Sequence, residues 1–263
     1  MELLRTVKRK SFFSEVVYHL LNISLALVLF GITLMVQSPV AAVVLVILSK
    51  WRVLAVRPRF WWTNIQSNLV DLIVGLSVVA LLYLSVGNIA VQIAFTAFYI
   101  IWLVIIKPMS KRWQMMLQSA IAILFGTVAL FSIGYLLPDI AVVAGSMVIG
   151  YSAARHFLVS YKEDQIVLLS SIWGIMFAEI GWLAYYWTFA YAIPGLTMIK
   201  LPQVTIILLL ISFLGERVYR SWKKNGAVVR SEIMPPVLFS VAVIGVILLF
   251  FNTVTVSYTH LRA

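Results

Sequence analysis

The sequence contains no cysteine. Disulfides, thiolate metal sites and cysteine nucleophiles are therefore excluded. Charge is scarce: 11% of the 263 residues are Asp, Glu, Lys or Arg, against about 25% in an ordinary soluble domain. Acids are scarcer still, nine against 20 Lys and Arg. Histidine occurs three times, at His19, His156 and His260. No second histidine or carboxylate stands three or four residues after His156, so no metal site is expected. The chain also lacks G-x-x-x-x-G-K-[ST], H-E-x-x-H and G-x-S-x-G, the local signatures of phosphate cradles, zinc peptidases and nucleophile elbows. No lysine lies in the middle of an apolar run, which disfavours a retinal-type Schiff base. No catalytic residue and no cofactor is expected.

What the chain does contain is apolar surface. Hydrophobic residues make up 63% of it and the mean hydropathy is +1.03. A soluble fold of this length cannot hide that much oil, so the expected class is a polytopic membrane protein. The net charge of +11 would suggest nucleic acid in a soluble protein; here the membrane accounts for it, and no nucleic-acid partner is expected. Runs of about 20 apolar residues fall at roughly 18–37, 38–56, 64–86, 88–106, 114–137, 139–160, 165–191, 199–215 and 234–256. These predict an all-α transmembrane bundle of about nine spans, or eight if one of the two shortest, the second or the eighth, is discounted. The basic start and following apolar run read as an uncleaved first span, too long for a signal-peptide core.

With the N-terminus in the cytoplasm, alternate turns carry Arg5 to Lys10, Lys50 to Arg59, Lys107 to Arg112, Arg155 with Lys162, and Arg217 to Arg230. All Lys and Arg except Lys200 and Arg262 then fall on one side. This is the bias of the positive-inside rule, and it predicts a cytoplasmic N-terminus in a cell membrane, expected to be the bacterial cytoplasmic (plasma) membrane. A single domain over residues 1–256 follows. Residues 257–263, "SYTHLRA", break the style of the chain and read as a non-native tail.

The stretch "SKWRVLAVRPRFWW", Ser49 to Trp62, concentrates cations and tryptophans. Its K-x6-R-P, Lys50 to Pro58, resembles the first motif of the phosphatidic-acid-phosphatase-like membrane phosphatases. That resemblance implies cations gripping a phosphate and two histidines performing the chemistry. It spans nine residues, and the family's P-S-G-H and S-R-x5-H-x3-D do not occur, so the covalent route is closed. Lys50, Arg52, Arg57, Arg59, Trp61 and Trp62 are instead expected to form a lipid-headgroup interface, with cations snorkelling and rings at headgroup level. Each cation near an anionic surface contributes about 1 kcal/mol, so anionic lipids at the cytoplasmic face are the expected partner.

Two acids fall inside predicted spans. Asn64, Asn68, Asp71 and Gly75 share one helix face. That polar stripe lines a solute or ion path, or fixes packing by interhelical hydrogen bonds. Counting residues along spans puts Arg155 at a similar depth and predicts an Asp71–Arg155 ion pair. Glu179 sits deeper, with Trp182 and Tyr186 on the same face. It is a candidate proton, ion or substrate site, with capping by a neighbouring helix as the structural alternative. Small-residue stripes, Ser146–Gly150–Ala154 and Ser171–Gly174–Ala178–Gly181 with a third on the fifth span, predict that spans five, six and seven pack at the bundle centre. Gln66–Ser67 and Gln118–Ser119 occupy like places in a faint 50-residue recurrence, which hairpins of one membrane thickness produce without duplication. Three functions fit these features. The first is a transporter, permease or channel-like subunit with Glu179 as its intramembrane acid and a small solute or proton as ligand. The second is a scaffold or subunit contacting other membrane proteins. The third is a lipid-acting enzyme.

Overall fold

The computed structural model describes residues 12–250 except 54, 56, 188, 194 and 195, and omits the side chains of 12–15, 52, 193 and 196–198. The tail at 257–263 lies outside the described residues. Among the described residues, nine α-helices follow one another: α1 Phe12–Met35, α2 Val40–Leu48, α3 Trp61–Leu84, α4 Ile89–Ile101, α5 Arg112–Ile133, α6 Asp139–Ser160, α7 Ile166–Tyr186, α8 Gln203–Asn225 and α9 Arg230–Phe250. Seven helical segments among the described residues are long and apolar enough to cross a bilayer. The fold is an all-α bundle of the multi-pass membrane class.

Local sequence explains several helix boundaries. Pro39, Pro138 and Pro202 stand at the N-caps of α2, α6 and α8, where a missing N–H costs nothing. The Asn88 side chain accepts the Val91 amide at 3.3 Å and starts α4. Gly226 ends α8 in the left-handed conformation, φ 73°, which glycine reaches without a Cβ clash.

The second predicted span is not a continuous helix. α2 has nine residues, about 14 Å of rise, under half of the roughly 30 Å hydrocarbon core. It runs antiparallel to α3. The Tyr83 hydroxyl donates to the Ser38 carbonyl at 2.8 Å near its start, and Lys50 pairs with Asp71 just past its end. Short 3-10 turns at Trp51–Val53 and Pro58–Phe60 then lead into α3. The eighth candidate, α8, has 23 residues but is not among the apolar seven; its second half carries Glu216, Arg217, Arg220, Lys223 and Lys224.

The centre of the bundle also differs from expectation. α3 and α5 each bury ten residues, whereas α7 buries four. The small-residue stripes do join α6 to α7. A Cβ on Gly150 would collide with Phe177, and one on Gly181 with Ser146. They seat α7 against α6 along one face and leave its other face outward. Between α7 and α8 lies an antiparallel hairpin, β1 Ala190–Ile193 and β2 Leu196–Pro202, with Ala190 opposite Pro202 and a bulge after Ala192. Its Ile199 is buried among Leu81, Val128 and Ala129, so the hairpin packs on α3 and α5.

Candidate functional site

The stripe on α3 leads to a charged cluster within the bundle. Asp71 is 6% exposed. Lys50, beyond the end of α2, pairs with its Oδ2. Lys107, beyond α4, reaches the same Oδ2 at 2.6 Å. Trp102 donates its indole N–H to the other oxygen, Oδ1, at 3.0 Å. The three partners come from two other parts of the chain and converge on one carboxylate.

Backbone geometry makes the convergence possible. Residues Trp102–Ile106 continue α4 as a π-helical turn. The Lys107 amide donates to the Trp102 carbonyl, five residues back, at 2.8 Å. In an α-helix two side chains five residues apart point about 140° apart. The wider π turn narrows that angle and lets Trp102 and Lys107 reach the same acid, a local irregularity frequent at functional sites. The end of this segment is held by Gln118 on α5. Its amide donates to the carbonyls of Ile106 at 2.6 Å and Met109 at 3.0 Å, serving helix-end acceptors that have no partner within the helix. Its oxygen lies 2.5 Å from His156 Nε2; because that oxygen can only accept, the histidine donates.

Gly75, one turn beyond Asp71, has a separate part. A Cβ there would meet Val46 at 2.9 Å and the Tyr99 hydroxyl at 3.0 Å. Glycine thus lets α2 and α4 close onto α3 beside the acid. Tyr99 is 1% exposed, and its hydroxyl has no hydrogen-bond partner among the described residues. Among the described residues Asn68 is bonded locally, its amide donating to the Asn64 carbonyl at 2.9 Å.

Several expected positions change. Asp71 does not pair with Arg155: the two lysines and Trp102 occupy its carboxylate. Counting along spans gave depth but not azimuth, and Arg155 lies half-buried on α6. Lys50 turns into the bundle onto Asp71, its side chain 12% exposed. Arg57, Arg59, Trp61 and Trp62 are exposed, and the Arg52 side chain lies outside the described residues. Glu179, Trp182 and Tyr186 do share a face of α7, and all three are exposed. Tyr186 donates to Asp139 at 3.0 Å and stacks edge-on against Trp182. These aromatics line the outside of the bundle rather than a pocket. Lys107, Trp102, Tyr99 and Gln118 were not expected at the site. The α-helical spacing rule hides Trp102 from Lys107, and Lys107 reads as one more turn cation.

A cavity of about 1110 Å³ lies among α5, α6, α7 and α8. Its walls are apolar, and Glu163, Asp164 and Glu216 line its charged part. Glu163, in the α6–α7 turn, accepts from the Tyr219 hydroxyl and from Lys223 at 2.9 Å. Those two donors hold its carboxyl down to about 2. Glu216 pairs with Arg220 one turn on. Compared with known protein families, curated proteins and solved structures, the chain matches none.

Proposed function

We propose that the protein is a transporter of the permease class, in which the Lys50–Asp71–Lys107 centre receives a small anionic solute. One observation carries this: two ammonium groups share a single carboxylate oxygen in a largely buried place. Among the described residues one acid neutralises one lysine, and an excess positive charge remains. Burying an uncompensated ion costs several kcal/mol; an anion offsets that cost. The unpartnered Tyr99 hydroxyl beside Gly75 adds a donor that such a solute would use. The broken second passage and the π turn supply irregular backbone at the centre, as in carriers built from discontinuous helices. The cation-rich turns face the cytoplasm of a bacterial cell in this proposal. Glu179, on the outward face of α7, is not part of the path.

The test is transport by the purified full chain in proteoliposomes, read as current on a supported membrane. The probes are chloride, inorganic phosphate, acetate and succinate, each with the same cation. At least one should give a current that falls about tenfold or more in Lys107→Met, equivalent to about 1.4 kcal/mol. No current with any of the four, from protein that remains monodisperse and thermally cooperative, would remove the proposal.

A second reading, a subunit of a membrane complex, is favoured by the exposure of Glu179 midway along α7. A charged side chain at a helix centre costs roughly 2.5–3.5 kcal/mol on insertion scales. A partner helix offering a donor to that face would relieve it. Glu179→Cys, in a chain with no other cysteine, should then cross-link to that partner in native membranes; cross-linking no more than Leu34→Cys on exposed α1 would remove the second reading.

A further inference from the structure

The cavity among α5, α6, α7 and α8 is separate from the Asp71 centre. It runs from the α6–α7 turn at Glu163 inward to Met176 on α7 and Leu209 on α8. Along α7 that is eleven residues from Gln165, about 16 Å of rise. A space this large and this apolar cannot stand empty inside a bilayer. Its walls offer too few polar partners to hold a column of water, which needs several hydrogen bonds per molecule. Hydrocarbon chains are the solvent at hand, and the cavity is not fully enclosed.

The charged end selects among lipids. Glu163, Asp164 and Glu216 all line it. Glu216 is paired with Arg220, and Arg217 Nε lies 3.5 Å from it. Glu163 is paired with Lys223. Asp164 is exposed in the turn, and no ion pair to it forms among the described residues. The cations that pair with Glu216 and Glu163 do not themselves line the cavity, so its charged lining is acidic, and Asp164 is the acid without an ion pair among the described residues. Farther in, the Ser212 hydroxyl lines the cavity, buried and without a hydrogen-bond partner among the described residues. We propose that this cavity is a binding site for a zwitterionic phospholipid carrying a primary amine: its acyl chain against Met176 and Leu209, and its ammonium on Asp164 at the acidic end. A purely anionic headgroup of similar size leaves Asp164 unmatched and adds a second negative charge beside it.

The test is native mass spectrometry of the full chain, extracted from nanodiscs containing equal amounts of phosphatidylethanolamine and phosphatidylglycerol with matched acyl chains. Retained phosphatidylethanolamine should exceed phosphatidylglycerol by about fivefold, a modest ratio fitting a partly exposed ionic contact. Asp164→Asn lies in an exposed turn and should erase the preference while leaving the melting temperature unchanged. Ala154→Phe, which projects a ring into the cavity, should lower total retained lipid of both kinds. Equal retention of the two lipids by the native chain would overturn the proposal. So would an unchanged preference in Asp164→Asn. If Ala154→Phe fails to fold, the headgroup comparison and Asp164→Asn still decide. None of these measurements involves anion flux, so the site stands or falls independently of the transport centre.

Discussion

Lys50 and Lys107 place their ammonium groups on the same oxygen of Asp71. Removing the acid and removing a base must therefore have unequal consequences. Asp71→Asn leaves two buried cations facing one another, and breaking a buried pair from one side costs about 3–5 kcal/mol. Lys107→Met leaves a balanced Lys50–Asp71 pair and a side chain of similar length. We expect thermal unfolding in detergent to show a large loss for Asp71→Asn and a small one for Lys107→Met. Equal losses would mean that Lys107 is as necessary to charge balance as the acid, and that no excess charge exists.

The α6–α7 seam depends on glycine at Gly150, Gly174 and Gly181, and the tightest contacts are at the first and last. A Cβ on Gly150 would overlap the Phe177 ring, and one on Gly181 the Ser146 side chain. Gly150→Leu should cost about 1–3 kcal/mol or more, the usual range for overpacking. Gly31 on α1 has nothing within 4 Å of the equivalent position, so Gly31→Leu should be close to neutral. The pair of melting temperatures, read in one detergent, checks the assignment of the seam.

The bundle itself was legible because apolar runs of membrane length have one physical outcome. Helix ends were legible where Pro39, Pro138 and Pro202 stand. The broken second passage was not, because Val40 to Val56 is as oily as a complete span; the break shows only when Lys50 turns to Asp71. Asp71 itself was visible as an acid on a polar stripe with Gly75. Its partners were not, since azimuth around a bundle is set by packing and the π turn moves Trp102 and Lys107 onto one side. Glu179 was visible as a deep acid, yet the sequence could not tell an inward face from an outward one. The hairpin at β1 and β2 was masked by apolar residues that also suit helices, and burial of Ile199 on α3 and α5 decided its form.

The α6–α7 turn should respond to acid. The Tyr219 hydroxyl and the Lys223 ammonium hold the Glu163 carboxyl at about 2, below its ordinary 4.5. A depressed folded-state value means that the unfolded chain binds the proton more readily. The stabilisation is therefore fully present above about pH 4.5 and is lost as pH falls toward 2. Melting temperatures of the native chain and Glu163→Gln should differ most near neutral pH and converge on acidification through that window. A difference that stays constant between pH 6 and pH 2.5 would show that Glu163 is not held by charge.

The same turn holds Lys162 at φ 53°, a left-handed conformation that costs a side-chain-bearing residue roughly 1–2 kcal/mol. Lys162→Gly removes that cost and loses some of the gain to the greater freedom of the unfolded chain. The melting temperature should rise slightly, whereas Lys162→Val, β-branched, should lower it.

Orientation rests on which turns share a side. Hydrogen bonds and ion pairs join Glu163 to Tyr219 and Lys223, and Gln118 joins His156 to Ile106 and Met109. The turns after α4, α6 and α8 thus lie at one end of the bundle. Tyr83 bonds Ser38 at the other. With no native cysteine, single exposed cysteines report each end cleanly. Ser110→Cys, Asp164→Cys and Ala227→Cys should be labelled by an impermeant maleimide only after the cells are opened. Ser38→Cys and Val86→Cys should be labelled in intact cells. The cation bias predicts this direction because arginine and lysine resist translocation. The reverse pattern would keep the fold and invert the membrane, placing the Asp71 centre nearer the outside. Labelling of Ser110→Cys and Ala227→Cys from opposite faces would instead break the helix pairing on which the depth of every charged residue depends.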